Sequence, residues 1–224
     1  HHTMRLFDIL GPVMIGPSSS HTAGAVRIGR TALRLLGTAP RKAEILLHGS
    51  FAMTGSGHGT DRALIAGLLG MQPDDANIPY SFELAREAGL SFSFGSVTLR
   101  GVHPNTAVLK LTGEDGRTLN VVASSVGGGR IQIVEIDGIT VNFSGEQNTL
   151  IVHNSDTPGH VSEVTTALAH RGINIATMQL YRSEQGGYAV MVLECDQPIP
   201  AELAKWLRGI RGIIKVTYFN LEEA

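Results

Sequence analysis

One cysteine, Cys195, stands in a chain of 224 residues. That scarcity excludes an iron–sulfur cluster or zinc finger built by this chain alone, because a cluster needs about four ligands, usually cysteines. Long apolar runs are also missing. None approaches the roughly 18 residues that a membrane span requires, and the start carries no signal-peptide pattern, so a cytoplasmic protein without a membrane role is expected. Basic runs are absent too, and the formal net charge is −2, which leaves no footprint for nucleic acid or an anionic membrane. A Gly-x-Ser-x-Gly element ahead of a suitable helix is lacking, which removes a stand-alone serine hydrolase. Small-molecule chemistry fits what is left.

What is present is enough for two modest domains, since 42% of the residues are hydrophobic and each half can bury a core. His1-His2-Thr3 reads as the scar of an expression tag, so the natural chain is taken to start at Met4. The stretch Gly16-Pro17-Ser18-Ser19-Ser20-His21-Thr22 gathers hydroxyls and an imidazole immediately ahead of a helical pattern, Ala25, Ile28, Ala32, Leu35 and Leu36. A helix is therefore expected from near Ser20 to a stop at Gly37. Its first N–H groups lack internal partners and its dipole is positive there, so a carboxylate or phosphate can dock, with the serines as further donors.

Residues 42–48 read as a strand. Gly55-Ser56-Gly57-His58-Gly59-Thr60-Asp61 follows, a loop whose glycines permit close approach to a ligand and present His58. Short helices are expected over 63–69 and 80–89. The runs 91–100, 106–112, 118–125, 130–136 and 139–143 read as an antiparallel meander, with Asp137-Gly138 a hairpin signal. Between the first two runs, His103-Pro104-Asn105 forms a turn with His103 at its edge. Gly127-Gly128-Gly129 is a further close-approach loop. The polar segment 144–148 reads as a linker.

Beyond it the predicted order is strand, helix, two strands, helix, strand, with Leu203, Trp206 and Leu207 inward on the last helix and Cys195 a small core residue. This βαββαβ order is a ferredoxin-like plait. Asp156-Thr157-Pro158-Gly159-His160-Val161, Gly172-Ile173-Asn174-Ile175 and Gly187-Tyr188-Ala189-Val190-Met191 together resemble an ACT domain, the regulatory module found with amino-acid enzymes. The Gly16–Thr22 stretch, the His58 loop and His103-Pro104-Asn105, followed by this module, resemble the beta chain of an iron–sulfur L-serine dehydratase over nearly all of 4–224.

The resemblance implies an α+β fold. A mixed α/β domain similar to an allosteric substrate-binding domain of phosphoglycerate dehydrogenases is expected over 4–143, a linker over 144–148 and the ACT domain over 149–224. It also implies a lyase subunit, inactive alone, that converts L-serine to pyruvate and ammonia with a serine dehydratase alpha chain. That alpha chain is expected to hold a [4Fe–4S] cluster, whose iron acts as Lewis acid on the departing hydroxyl. On this chain, Ser18, Ser19, Ser20, Thr22, His103 and Asn105 are the expected substrate-binding residues. His58 is the expected base, on a loop allowing close approach, and His21, beside the carboxylate, is placed to orient. Asp156, Gly159, His160 and Asn174 match the family's effector positions, at interfaces between paired ACT domains, so self-association is expected. The other reading is a regulatory sensor of an amino acid or hydroxy acid with no catalytic role.

Overall fold

The computed structural model describes the backbone of residues 16–54 and 59–221, and the side chains in those ranges from residue 22 onward. Two sheets with helices packed on them make a mixed α+β structure. The first begins with helix α1 (Gly16–Leu36) and strand β1 (Pro40–Gly49). Helices α2 (Ser50–Thr54), α3 (Thr60–Leu68) and α4 (Ser81–Glu87) then lead to β2 (Ser91–Ser96). Strands β3 (Asn105–Gly113), β4 (Thr118–Gly127), β5 (Arg130–Ile136) and β6 (Ile139–Phe143) complete it. The sheet order is β2-β1-β3-β4-β5-β6.

Two expectations change here. Helix α1 starts at Gly16, not near Ser20, because Pro17 fits a first helical turn, where its missing N–H has no partner to lose. The run 91–100 is not part of the meander: β2 ends at Ser96 and pairs parallel to β1, on the far side from β3. The reason is topological, since three helices intervene between β1 and β2, and a crossover of that kind returns the chain parallel. The meander proper is β3 to β6, antiparallel throughout.

One row of each strand faces the helices. Ala43, Ile45 and Leu47 of β1, Ala107, Leu109 and Leu111 of β3, and Leu119, Val121 and Ala123 of β4 form it, as period-two alternation requires. Helices α1 and α3 cross where Gly29 and Gly67 meet: a Cβ on Gly67 would lie 2.1 Å from the Val26 carbonyl oxygen.

The second sheet, order β10-β7-β9-β8, comes from β7 (Asn148–Ser155), α5 (His160–His170), β8 (Ile175–Arg182), β9 (Tyr188–Cys195), α6 (Ala201–Arg208) and β10 (Ile213–Phe219). All its pairs are antiparallel, the plait expected from the order of elements. Strands β7 and β9 are buried on both faces. One face, with Leu150, Val152, Met191 and Leu193, packs under α5 and α6. The other, with Ile151, Val190, Val192 and Phe219, joins the core of the first sheet. On α6 the inward residues are Leu203, Ala204 and Leu207, while Trp206 is 52% exposed. The inward expectation for Trp206 is corrected by Ala204, which takes that flank of the face. No described helix is long and apolar enough to cross a membrane.

Candidate active site

The chemistry-bearing residues of the first sheet gather at one edge, where β1 ends, β3 begins and β4 ends. Gly49 pairs with Asn105, and Thr106 with both His48 and Ser124. Gly49 adopts positive φ (59°), and a Cβ there would lie 2.4 Å from the Pro104 carbonyl oxygen. The N–H of Ser50 donates to that same oxygen at 2.9 Å. This contact clamps the His103-Pro104-Asn105 turn against the end of β1.

The two faces of the edge do different things. Asn105 shares the helix-side row with Ala107 and Leu109, by strand alternation. Its Oδ1 is buried and meets no donor among the described residues, an uncommon and costly state for an amide oxygen. Helix α1 comes down on the same face: a Cβ on Gly24 would lie 2.0 Å from Ser125 Oγ, so only glycine lets the helix start sit on β4. Arg27 Nη1 donates to the Gly129 carbonyl oxygen at 2.6 Å and fixes the helix to the triple-glycine turn. Thr22, half-buried, lies two residues before Gly24.

On the opposite face the hydrogen bonds hold the turn in place. Thr106 Oγ1 donates to the His103 carbonyl oxygen at 2.6 Å, so in its 2.7 Å contact with Ser124 the Ser124 hydroxyl is the donor. His48 Nδ1 accepts from the Leu99 N–H at 3.0 Å, tying the segment before the turn to β1. The sequence reading passed over His48 and Thr106, because an isolated His or Thr in a strand carries no local signal. His103 is exposed, and its Nδ1 accepts from the Asn105 N–H at 3.0 Å. A neutral His103 ring therefore carries its proton on Nε2 and offers it outward.

The other expected residues divide as follows. His58 and the side chains of Ser18, Ser19, Ser20 and His21 lie outside the described residues. The backbone of Ser18 is in the first turn of α1, where N–H groups have no intrahelical acceptor, and Ser19 and Ser20 follow in the same helix.

The four expected effector residues do not converge on one chain. Asp156, Gly159 and His160 follow β7, and Asn174 precedes β8, at the opposite end of the plait. The separation is the length of an eight-residue strand, roughly 25 Å. Asp156 Oδ2 accepts from Arg182 Nε at 2.8 Å, and Asn174 Nδ2 donates to Asp196 Oδ2 at 2.7 Å. His160 is turned inward, with Nδ1 on Glu163 (2.7 Å) and Nε2 on Ser155 Oγ (3.2 Å). Its ring is engaged at both nitrogens and Asp156 is half-buried against Arg182, so of the expected residues in this loop only the left-handed Gly159 is exposed.

An iron–sulfur cluster does not fit this chain. Cys195 is buried, its Sγ faces the Leu193 carbonyl oxygen at 3.8 Å, and burial pushes its thiol up to about 11. Among the described residues no three His, Cys, Asp or Glu side chains converge as a metal site would need.

Comparison with known proteins adds what geometry leaves open. The family model "Serine dehydratase beta chain" matches residues 5–90, and the ACT domain model matches 148–212. The chain is 38% identical to the L-serine dehydratase beta chain of Peptoniphilus asaccharolyticus, covering 96% of this chain and 97% of that one. It is 41% identical to the probable L-serine dehydratase beta chain of Bacillus subtilis, over 95% and 96% of the two. Similarity also extends to a Bacillus subtilis D-3-phosphoglycerate dehydrogenase, 32% identical over 71% of this chain but only 30% of that enzyme. Relatedness at this level over nearly the whole of both beta chains leaves one assignment: this chain belongs to the serine dehydratase beta chain family.

Proposed function

We propose that this chain is the beta subunit of an L-serine dehydratase, inactive alone, which with an alpha chain converts L-serine to pyruvate and ammonia. The observation that carries the reading is the buried Oδ1 of Asn105 at the helix-side edge of the first sheet, which meets no donor among the described residues. A carbonyl oxygen left without a donor there suits an ammonium group, which supplies three N–H bonds. The N–H groups in the first turn of α1, that of Ser18 among them, have no intrahelical acceptor and suit a carboxylate. The two groups together match an α-amino acid. Near-full-length relatedness to two beta chains favours the subunit over a stand-alone sensor.

In this reading the α1 start binds the carboxylate, Asn105 Oδ1 receives the α-ammonium, and His21 and His103 orient the substrate. His58 takes the α-proton. Loss of that proton and of the β-hydroxyl gives the enamine, which tautomerises to an imine and hydrolyses to pyruvate and ammonia. The [4Fe–4S] cluster belongs to the alpha chain, because Cys195 cannot ligate it, and whatever assists the departing hydroxyl lies on that side. The ACT domain pairs with that of a second copy. Only across such a pair can one effector meet both the Asp156–Gly159 loop and Asn174.

The test is anaerobic co-expression with the alpha chain, followed by iron and pyruvate assays. His58→Ala should lower kcat by about a hundredfold or more at unchanged iron content, the usual scale for a lost general base. Asn105→Ala should chiefly raise KM, as lost binding does. Normal kinetics in both variants, or pyruvate formation by this chain alone, would overturn the reading.

A further inference from the structure

A second concavity lies away from the sheet edge, at the other end of α1. It is a cavity of about 730 Å³ between the two sheets, bounded by the end of α1, the β3–β4 turn, α6 and β10. The charged side chains lining it are Arg34, Arg117, Arg208 and Lys215, all cationic and drawn from four different elements. In a chain of net charge −2 this concentration is not a matter of composition.

Among the described residues no carboxylate lines the cavity beside Arg117, Arg208 and Lys215. Arg117 meets Asp115 at 2.8 Å, a pair about half exposed on both sides, and such pairs offset little charge. Lys215 Nζ lies 4.0 Å from Asp137 Oδ2, at the limit of an ion pair. Arg208 Nη2 donates to the Val216 carbonyl oxygen at 3.0 Å, and no carboxylate among the described residues bridges to it. Arg34 is half-buried, with other interactions of its own, and its guanidinium lies 6.0 Å from the Phe219 ring centroid. Burial chiefly holds the Lys215 ammonium below the usual lysine range; Asp137 acts the other way, and Arg117 across the cleft adds a smaller lowering by repulsion. Like charges from two packing units thus face each other over a space of ligand size, since pockets for small molecules run from about 300 to 1,000 Å³.

We infer that this cleft binds a small multivalent oxyanion, a phosphate or polycarboxylate group, that bridges the first domain's Arg117 to the ACT domain's Arg208 and Lys215. The apolar floor of Leu35, Ile214 and Val216 gives room for a short carbon body. Arg117 Nη1 also donates to the Leu36 carbonyl oxygen at 3.3 Å, so the anion would act on the last turn of α1. That helix has 21 residues, about 31 Å at 1.5 Å per residue, and its N-terminal half meets the Asn105 edge where Gly24 sits on Ser125. An anion in the cleft therefore holds the far end of the helix whose near end receives substrate.

The test uses the purified full chain and needs no lyase activity, so it stands apart from the proposed reaction. Thermal unfolding and calorimetric titration are run with inorganic phosphate in one arm and succinate in another, against sodium chloride at matched ionic strength to remove general screening. A saturable rise in melting temperature is expected in at least one arm, and the arm that responds identifies the group. Arg117→Gln and Lys215→Gln should each weaken that binding roughly tenfold or more, the scale of one lost charge-assisted hydrogen bond. Both side chains are partly exposed; Arg117→Gln also loses the Leu36 contact, as Arg208→Gln would lose that to Val216, so Lys215→Gln, which breaks no main-chain hydrogen bond, is the deciding variant. A rise equalled by chloride, or titrations unchanged in both variants, would overturn the inference.

Discussion

His153 is where a single side chain sets a property of the whole chain. It is 2% exposed on β7, its Nδ1 is hydrogen-bonded to the Tyr188 hydroxyl, and Lys215 of β10 and Asp137 of the β5–β6 turn act on it. Burial first, then Lys215, lowers its pKa from 6.5 to about 4, with Asp137 acting the other way. Burial chiefly pushes Tyr188 up to about 12, so the phenol keeps its proton and donates it to the neutral ring. The unfolded chain therefore takes up a proton on His153 before the native state does. The stability tied to the neutral ring is complete above pH 6.5 and falls as pH drops toward 4, where it levels off. Between pH 7 and pH 4.5 the loss is on the order of 2 to 3 kcal/mol. Urea unfolding of wild type and His153→Gln at these two pH values checks it: the variant should show a flatter dependence by about that amount. Equal slopes would place the acid sensitivity elsewhere.

At the scale of elements, the α1–α3 crossing is the most demanding contact. A Cβ on Gly67 would meet the Val26 carbonyl oxygen at 2.1 Å and the Arg30 nitrogen at 2.8 Å, both backbone atoms that no rotamer change can move. Alanine is the better helix former by about 1 kcal/mol, yet separating two packed helices costs about 1 to 3 kcal/mol or more. The second effect wins, so Gly67→Ala should lower the urea midpoint, and a neutral or raised midpoint would show that the crossing relaxes. Nothing local marks Gly67 as such a contact, and the same holds for Gly24 on Ser125. Features fixed by neighbours in sequence are legible: Gly37 (φ 77°) ends α1, and Asp137 and Gly138, both at positive φ, make the β5–β6 hairpin. Features fixed by distant partners are not. The parallel pairing of β2, the outward turn of Trp206 and the hold of His48 on Leu99 depend on where remote segments come to rest. At the candidate site, Asn105 was legible from its turn, but the burial of its Oδ1 away from any donor among the described residues arises only once β3 is seated in the sheet.

For the whole molecule, the decisive fact is that the plait's second face is covered along β7, β9 and the end of β10, with β8 alone left exposed. Ile151, Val190, Val192 and Phe219 belong to the same buried cluster as Ile133, Ile136 and the α1 residues. Burying an aliphatic or aromatic side chain is worth about 1.5 to 3 kcal/mol, so these four side chains couple the two parts by roughly 6 to 12 kcal/mol. That is comparable to the entire stability of an ordinary domain, about 5 to 15 kcal/mol. Neither part can then unfold while the other stands, because the survivor would carry the exposed apolar face. Trp206, the chain's one tryptophan, sits on α6 of the ACT domain and reports that part alone, whereas far-ultraviolet circular dichroism reports both sheets. Urea titrations followed by the two probes should superimpose, with one midpoint and one slope. A Trp206 transition displaced from the dichroism curve would mean that the plait melts by itself and that the shared face contributes little. Coincident curves would instead make the interface stiff enough for an event in the Arg117–Lys215 cleft to be felt at the substrate end of α1.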